Sequence, residues 1–258
     1  MDNMKLSITI IAFNEEHNIK RSVTSAMFAD EVIVVDSGST DRTTEIAKSC
    51  GAHVHQHPFT GYGQQKNYAA SLCQGEWILN IDADEEISSG LKTEILSIID
   101  DPQSHNLYQV PRLTQYVGQW IRHGGWYPGT ISRLCKKNKA HWTEPHVHED
   151  LQLTDSNGSR GFLKNNLLHY SFPTINSHTK TNLRFSSLAA KDLLAKKGRR
   201  PYGFEVILKP IGKFFECYLI KLGFLDGMRG FIIALNSAHA MLSKYSIAYL
   251  EDHDQSHP

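Results

Sequence analysis

The sequence contains little cysteine: four residues in 258, with no CxxC pair. They are Cys50, Cys73, Cys135 and Cys217. This scattered placement argues against a disulfide framework and against a zinc site built from cysteines. It is the usage expected of a protein in a reducing compartment.

Long apolar runs are also absent. The longest uncharged stretch near the C-terminus covers residues 230–243, which is 14 residues, whereas a membrane-spanning helix needs about 20. The chain begins with charged residues that lead straight into a short strand-like segment, so no signal peptide is expected. These absences predict a cytoplasmic location, with contact at most with a membrane surface.

Several nucleotide-binding and catalytic motifs are missing. No GxGxxG follows the first predicted strand and no Walker A lysine loop occurs, which argues against a dinucleotide oxidoreductase and a P-loop enzyme. No RNP, helix-turn-helix or zinc-finger pattern is present, so no nucleic-acid partner is expected. No serine or cysteine stands out as a nucleophile.

The charge sums to zero but is unevenly distributed. Residues 1–175 carry 15 lysines and arginines against 20 aspartates and glutamates, and residues 176–250 carry 12 against 4. Residues 251–258 carry three acids and no lysine or arginine, so the three segments have charges of −5, +8 and −3. The basic segment is expected to face phosphates or an anionic membrane.

Apolar β-branched runs alternate with helical patterns through residue 102. The predicted strands are residues 6–13, 31–35, 54–57 and 77–81, and the predicted helices are residues 15–27, 43–50, 63–72 and 88–99. This order predicts an α/β fold with a mostly parallel sheet and helices on both faces. Short strands are predicted at 107–110, 131–134 and 162–168, followed by helices at 181–197, 202–222 and 228–250.

Two aspartates follow the fourth predicted strand. Asp82 and Asp84 are two positions apart, so in an extended chain both carboxylates point to the same side. Converging carboxylates repel each other unless a cation lies between them, and such oxygen ligands suit Mg²⁺ or Mn²⁺. The alternative is a polar loop in which residues 82–86 supply helix-cap and first-turn charges. The motif alone leaves both interpretations open.

The position of these residues favours a ligand site. Asn14 and Glu15 follow the first predicted strand and Asp36 follows the second. Ligands of open α/β sheets bind beyond the carboxyl ends of the strands, where all these polar residues are expected to lie. A rival hypothesis is a zinc site, although no HExxH motif occurs. Its candidate ligands are His141, His146, His148 and His169.

Four stretches, SITIIAFNEE, VIVVDSGSTD, QQKNYA and EWILNIDADE, resemble the family 2 glycosyltransferases of the GT-A fold. The segments WYPG, VHEDL, LLHYSF and GFLDGMRGF resemble bacterial lipopolysaccharide core glucosyltransferases that modify the inner-core heptose. The resemblance covers nearly the whole chain. It implies a Rossmann-like GT-A domain in residues 1–175 and a helical, basic extension in residues 176–258.

The resemblance also implies roles for individual residues. The implied nucleotide-sugar-binding residues are Phe13, Asn14, Glu15, Asp36, Lys66 and Asp82. The implied metal ligands, for Mg²⁺ or Mn²⁺, are Asp82, Asp84 and His169. The implied catalytic carboxylate is Glu149 or Asp150, with Glu149 preferred as the base.

The resemblance implies an inverting transfer of glucose from UDP-glucose to a heptose of a lipid-anchored core oligosaccharide. A carboxylate takes the proton of the acceptor hydroxyl as that oxygen attacks the anomeric carbon. A divalent cation stabilises the diphosphate leaving group. Two alternatives stay open. One is a related family 2 transferase with another nucleotide-sugar donor or a polyprenyl-phosphate acceptor, and the other is a non-catalytic sugar-nucleotide-binding protein.

The basic extension predicts contact with a membrane. Lys209, Lys213 and Lys221 interleave with apolar residues, a pattern typical of helices that lie in a membrane interface. The alternative is a helix packed on the catalytic domain with its lysines in water. We expect peripheral binding to the cytoplasmic face of the inner membrane, because a segment of charge +8 attracts anionic lipid.

Overall fold

The computed structural model describes residues 4–143 and 149–250. The chain forms two compact units. The first contains Met1–Leu113 and Gly129–Tyr170, and the second contains Thr114–Pro128 and Ser171–Pro258. Thr114–Pro128 therefore belongs to the second unit, although it lies within the domain predicted for residues 1–175. That predicted functional boundary stays a prediction.

Strands and helices alternate in the first half of the chain, and helices dominate its end. The strands are β1 (Leu6–Ala12), β2 (Glu31–Asp36), β3 (His53–Gln56), β4 (Trp77–Asp82), β5 (Glu85–Ile87), β6 (Leu107–Tyr116), β7 (Gln119–Trp120), β8 (Gly129–Lys136), β9 (Ala140–Trp142), β10 (Leu151–Leu153), β11 (Arg160–Phe162) and β12 (Leu167–Phe172). The helices are α1 (Ile19–Ala26), α2 (Thr43–Ser49), α3 (Tyr62–Leu72), α4 (Ser89–Ile99), α5 (Ile175–Lys197), α6 (Gly203–Phe215) and α7 (Gly227–Leu250).

The main sheet has the strand order β3-β2-β1-β4-β8-β6-β12-β5, with β7 and β11 paired to β6. Its first four strands are parallel, and Ile10 of β1 lies opposite Val34 on one side and Ile81 on the other. β8 pairs antiparallel with β4 and β6, and β5 pairs antiparallel with β12. The predicted α/β fold is confirmed, with its parallel part in β1–β4.

Helices cover both faces of this sheet. Successive residues of β2 point to opposite sides, so Val34 belongs to one core cluster with Val23 of α1 and Leu91 of α4, whereas Val35 belongs to another with Ala69 of α3. Each face therefore has its own hydrophobic core. This explains why β1 and β2 are apolar at nearly every position, as expected for strands buried on both faces.

Several predicted elements have different bounds in the structure, and two of them show the cause. The helix predicted from residue 15 begins at Ile19, because Asn14 has a left-handed φ of 54° and the chain makes a turn before the helix starts. The strand predicted at 162–168 is divided between β11 and β12. Both differences concern the ends of elements, where loop contacts outweigh local propensity.

The second unit is mainly helical. α5, α6 and α7 pack around a small core formed by Ala190, Leu193, Tyr245 and Ala248 with partly buried neighbours. The helix predicted for 202–222 ends at Phe215 and is followed by a π turn and a 3₁₀ turn. In the part of the chain that the structure describes, no helix is long and apolar enough to cross a bilayer.

Residues at and just before the start of α7 hold segment Thr114–Pro128 of the second unit in place. We call this segment the inserted segment. Asp226 is buried, and its carboxylate accepts hydrogen bonds from the backbone amides of Arg122 at 3.2 Å and His123 at 2.8 Å. The guanidinium of Arg229 donates to the carbonyl of Val117 at 3.0 Å. Residues far apart in the sequence thus form one polar network.

α7 passes so close to the preceding turn that only glycine fits. A Cβ on Gly230 would lie 1.8 Å from the carbonyl oxygen of Gly223. We expect Gly230→Ala to lower the free energy of unfolding by on the order of 3 kcal/mol, because the two backbones must move apart. Urea unfolding followed by circular dichroism measures this change.

Gly212→Ala is the matched control. Gly212 also lies in a helix, but a Cβ added there would meet nothing within 4 Å apart from its chain neighbours and the adjoining backbone of its own helix. This variant should be as stable as the parent protein or more stable by about 0.5–1 kcal/mol, since alanine favours helix. Equal stability of Gly230→Ala and the parent protein would contradict the close approach.

Candidate active site

Two loops are joined at the carboxyl ends of β1 and β2. The amide of Asn14 donates to Ser39 Oγ at 2.9 Å, and Asn14 Oδ1 accepts from the amide of Thr40 at 2.9 Å. Asparagine adopts the left-handed conformation seen here more readily than most residues, because its short polar side chain forms local hydrogen bonds. The loops after β1 and β2 are therefore fixed to each other.

Asp36 closes the second of these loops. Its buried carboxylate accepts hydrogen bonds from the amides of Gly38 at 3.0 Å and Ser39 at 2.9 Å, and from the Ser39 hydroxyl. Phe13, just after β1, is 57% exposed. The structure thus places the predicted residues Phe13, Asn14 and Asp36 in two connected loops, with the phenyl ring open to solvent.

Lys66 is a buried cation on α3. Its Nζ lies 2.8 Å from Glu149 Oε1, 3.1 Å from Asp82 Oδ1 and 4.5 Å from the centre of the Trp142 ring. A buried ammonium is unfavourable unless it is paired, and two carboxylates and an aromatic face supply the partners here. The structure therefore brings together three residues that the sequence assigns to nucleotide binding or catalysis.

The neighbours of Lys66 hold α3 at this position. Gln65 donates to the hydroxyl of Ser37 at 3.0 Å and to the carbonyl of His57 at 3.1 Å. Asn67 exchanges two hydrogen bonds, each 2.9 Å long, with the backbone of Trp142. These contacts tie the helix to the loop after β2 and to β9, so the lysine between them has little freedom to move.

Arg133 on β8 is a site residue that no motif in the sequence identifies. Its Nη2 lies 2.6 Å from Asp82 Oδ2 and 3.0 Å from Glu85 Oε1, and its Nη1 donates to Asn80 Oδ1 at 3.1 Å. The planar guanidinium is well suited to bridging carboxylates in this way. One signal was present in the sequence: a single arginine within an apolar predicted strand needs buried partners.

Asp82 is kept ionised by two cations. Burial would raise its pKa, but the charges of Arg133 and Lys66 hold the pKa of Asp82 well below its usual range. Burial would likewise lower the pKa of Arg133, and the charges of Asp82 and Glu85 raise it instead. Both carboxylate oxygens of Asp82 face cations of the protein, and its predicted part in metal binding stays a prediction.

Asp84 lies in different surroundings. Its Oδ2 is 3.2 Å from Nε2 of His169, and both side chains are partly exposed. The backbone fixes this pair, because the amide of Tyr170 donates to the carbonyl of Asp84 at 2.9 Å and β5 pairs with β12. The structure thus brings together Asp84 and His169, two of the three predicted metal ligands.

An oxygen and a nitrogen donor fit a divalent cation whose other ligands are phosphate oxygens and water. Within residues 4–143 and 149–250, no group of three or more histidine, cysteine, aspartate or glutamate side chains is arranged to hold a metal. Asp84 and His169 are thus two candidate ligands, and their predicted metal binding stays a prediction.

Glu15 lies close to these acids. Burial raises the pKa of Glu15, a hydrogen bond from Asn18 opposes this, and the charges of Asp84, Asp41 and Asp82 raise it further. Burial is the largest cause, and the three neighbouring carboxylates add a smaller negative potential to it. A bound cation would relieve this potential, which agrees with the donor set of Asp84 and His169.

Glu149 and Asp150 differ in their contacts. Glu149 is half-buried against Lys66, whereas Asp150 is exposed and its amide donates to Thr143 Oγ1 at 3.0 Å. This difference supports the preference for Glu149 as the base, and the role itself stays a prediction.

The rival zinc hypothesis involves four histidines. His169 contacts Asp84, and His141 is exposed on β9. His146 and His148 lie outside the described residues. The zinc hypothesis therefore stays untested.

The raised pKa of Glu15 predicts that Glu15→Gln stabilises the metal-free protein at pH 7. The pKa in the folded state lies above the ordinary 4.5, so ionised Glu15 disfavours folding at neutral pH. This penalty disappears as the pH falls below about 4.5, where the carboxyl is protonated in both states. The melting temperature should therefore be higher for Glu15→Gln at pH 7 and similar for both proteins at pH 4.

Glu45→Gln serves as the control for that substitution. Glu45 is exposed and its hydrogen bond with Arg42 lowers its pKa, so removing its charge should not stabilise the protein. A lower melting temperature of Glu15→Gln at pH 7 in buffer with EDTA would contradict the proposed negative potential.

The bridging position of Arg133 predicts a large loss of stability in Arg133→Met. This change leaves the carboxylates of Asp82 and Glu85 without their shared cation, which should lower the free energy of unfolding by about 3–5 kcal/mol. Arg133→Lys keeps the positive charge but not the planar guanidinium, so its free energy of unfolding should fall by less. Urea unfolding compares the three proteins, and an Arg133→Met variant as stable as the parent would rule out this role.

Comparisons with known proteins identify the family of this chain. Residues 7–153 match the family described as Glycosyl transferase family 2. An uncharacterised glycosyltransferase of Rickettsia prowazekii is 35% identical over 248 residues, which cover 92% of this chain and 84% of that protein. The lipopolysaccharide core biosynthesis glycosyltransferase LpsC of Rhizobium meliloti is 28% identical over 249 residues, which cover 91% of this chain and 88% of LpsC.

The solved structures include a mycobacterial protein with a similar fold. It matches with a TM-score of 0.50 at 16% identity, over 72% of this chain and 74% of that one. Such low identity concerns the fold alone, and the predicted GT-A fold is confirmed. Residues 7–153 match the family, and a relative 35% identical covers 92% of this chain. The chain therefore belongs to glycosyltransferase family 2.

Proposed function

We propose that this glycosyltransferase moves glucose from UDP-glucose to a heptose of the lipopolysaccharide inner core, with inversion and with Mg²⁺ or Mn²⁺. The observation that carries the proposal is the 2.8 Å contact between Glu149 and buried Lys66, which also pairs with Asp82. Glu149, the candidate base, and Asp82 thus share the ammonium of Lys66. LpsC, a relative named for lipopolysaccharide core biosynthesis, supports an acceptor of that class.

The loops after β1 and β2 are proposed to bind the uridine. The exposed ring of Phe13 suits stacking on a base. Asn14 and Asp36 are fixed by hydrogen bonds with the same serine, Ser39, so this pocket edge is formed before the donor arrives. Such preorganisation reduces the entropy lost on binding.

Asp84 and His169 are proposed to hold the divalent cation, with Asp82 beside them. When bound, the cation stabilises the negative charge on the departing diphosphate. The negative potential around Glu15 favours a cation at this position. Lys66 adds a fixed positive charge near Asp82, where the nucleotide diphosphate is expected.

Glu149 is proposed to act as the general base. It takes the proton from the acceptor hydroxyl while that oxygen bonds to the anomeric carbon and the bond from that carbon to the diphosphate oxygen breaks. Attack on the face opposite the leaving group inverts the anomeric centre. Lys66 positions the Glu149 carboxylate for this step, and Asp150 is the second candidate.

The acceptor is proposed to be lipid-anchored and to be reached at the cytoplasmic face of the inner membrane. Residues 176–250 have a charge of +8 and suit an anionic lipid surface. The alternatives are a different nucleotide-sugar donor, a polyprenyl-phosphate acceptor, or a protein that binds sugar nucleotides without catalysis.

UDP release from a panel of UDP-sugars, with and without a heptose-containing core oligosaccharide, tests this proposal. We expect turnover of UDP-glucose that needs Mg²⁺ or Mn²⁺ and stops with EDTA. Asp84→Asn should abolish metal-dependent turnover. Glu149→Gln should lower kcat by about 10²–10⁴ while UDP-glucose still binds, because it removes only the base.

Two further variants make the result specific. Asp100→Asn changes an exposed acid paired with Lys5 and should keep full activity. Asp150→Asn separates the two candidate bases, because a loss as large as that of Glu149→Gln would count against Glu149. Turnover of another UDP-sugar alone would exclude glucose, and donor binding without turnover on any acceptor would favour a non-catalytic protein.

A further inference from the structure

α6 has a large apolar stripe on its exposed side. Phe204, Ile211 and Phe215 lie three or four positions from Ile207 or from one another, and Leu208 lies four positions from Phe204 and three from Ile211, so all five share one face of the helix. Each is between 49% and 63% exposed. A helix of a globular protein normally turns such a stripe toward a core, and this one faces outward.

The turns after α6 and the first half of α7 continue this apolar surface. Ile220 and Met228 are 76% and 72% exposed, and Leu225, Phe231 and Leu235 are exposed as well. The two helices pack against each other, and the ring of Phe231 lies 5.7 Å from that of Phe214 and 5.6 Å from that of Tyr218. We call the exposed apolar residues of segment 204–235 the apolar face.

The acids of this region are neutralised by neighbouring basic side chains. The ion pairs are Lys197–Glu205, Arg199–Glu205, Lys213–Glu216 and Lys221–Glu216. The carboxylate of buried Asp226 pairs with the side chain of His123 and accepts hydrogen bonds from two backbone amides. Residues 196–235 carry eight lysines and arginines against three acids, so their charge surplus is +5, and exposed Lys209 lies between apolar positions of α6.

We infer that the apolar face inserts into the acyl boundary of an anionic bilayer, with the basic side chains at the level of the phosphates. This deepens the proposed function: it rests on the lipid-anchored acceptor and turns surface attraction into insertion. Lysine suits this position because its apolar stem lies along the acyl chains while its ammonium stays in the headgroup layer. The charge surplus of the segment and the anionic headgroups are complementary.

A second copy of the chain fits the face less well. Pairing two such faces would bring the basic side chains of both copies together, and juxtaposed like charges oppose association. A bilayer containing anionic lipid offers both the apolar layer and the opposite charge. The charges therefore favour lipid over self-association.

Vesicle binding by the full chain tests the inference. The double variant Ile207→Glu with Leu208→Glu places charges at two exposed positions where they disturb no packing. Its partition onto vesicles of phosphatidylglycerol mixed with phosphatidylcholine should fall on the order of a hundredfold, because two apolar side chains no longer insert. Phe162→Glu is the matched control, because Phe162 is an exposed apolar residue of the first unit. This variant should bind vesicles like the parent protein.

Salt and a local probe separate insertion from charge attraction. At about 1 M NaCl the Debye length is about 3 Å, so binding by charge alone is lost, whereas insertion keeps a measurable part. A polarity-sensitive label on Ile207→Cys, in a Cys50→Ser background, should shift to shorter wavelength with vesicles. The same label on Thr93→Cys, an exposed site on α4, should not shift.

The outcomes are distinct. Unchanged binding of the double variant, or no label shift at Ile207→Cys, would overturn the inference. So would light scattering that shows a dimer which the double variant dissociates, because a second copy would then cover the face. Asp84→Asn should bind vesicles normally, and the double variant should still release UDP with a water-soluble acceptor. Vesicle insertion without turnover of any UDP-sugar would refute the proposed function alone and leave the insertion supported.

Discussion

The pairing of buried charges around Asp82 is the interaction on which the site depends. One carboxylate has an ammonium on one oxygen and a guanidinium on the other, and these cations come from α3 and β8. Neither Lys66 nor Arg133 is stable in the interior without its partners, so the charges hold the helix and the strand in register. The members of this candidate site are thus already in contact in the structure.

Asp82 and Asp84 therefore have different surroundings, although they are only two residues apart in the sequence. Asp82 is compensated by the protein, whereas Asp84 contacts only a histidine among the ion pairs of the described residues. The difference follows from the strand geometry, because β4 ends at Asp82 and the chain turns before β5. The carboxylate of Asp82 supports the architecture, and that of Asp84 is the one we propose as a ligand of a cation.

Local patterns were enough to predict β1–β4 and their helices, since these elements depend on the periodicity of nearby residues. The pairing of β5 with β12 was not predictable from such patterns, because it joins segments that are far apart in the chain. In the candidate site, the family resemblance pointed to Lys66, Asp82 and Glu149, which the structure brings into contact. Arg133 belongs to no motif, and its role arises from Asp82 and Glu85, which lie 51 and 48 residues away.

The inserted segment Thr114–Pro128 has a consequence for how this chain can vary. Its backbone is held by Asp226 and Arg229, more than a hundred residues later. The C-terminal helices are therefore not an independent appendage that can be exchanged by a single crossover in the gene. A recombinant that acquires a foreign C-terminal region must acquire the matching inserted segment as well, so the two pieces are expected to be inherited as one module.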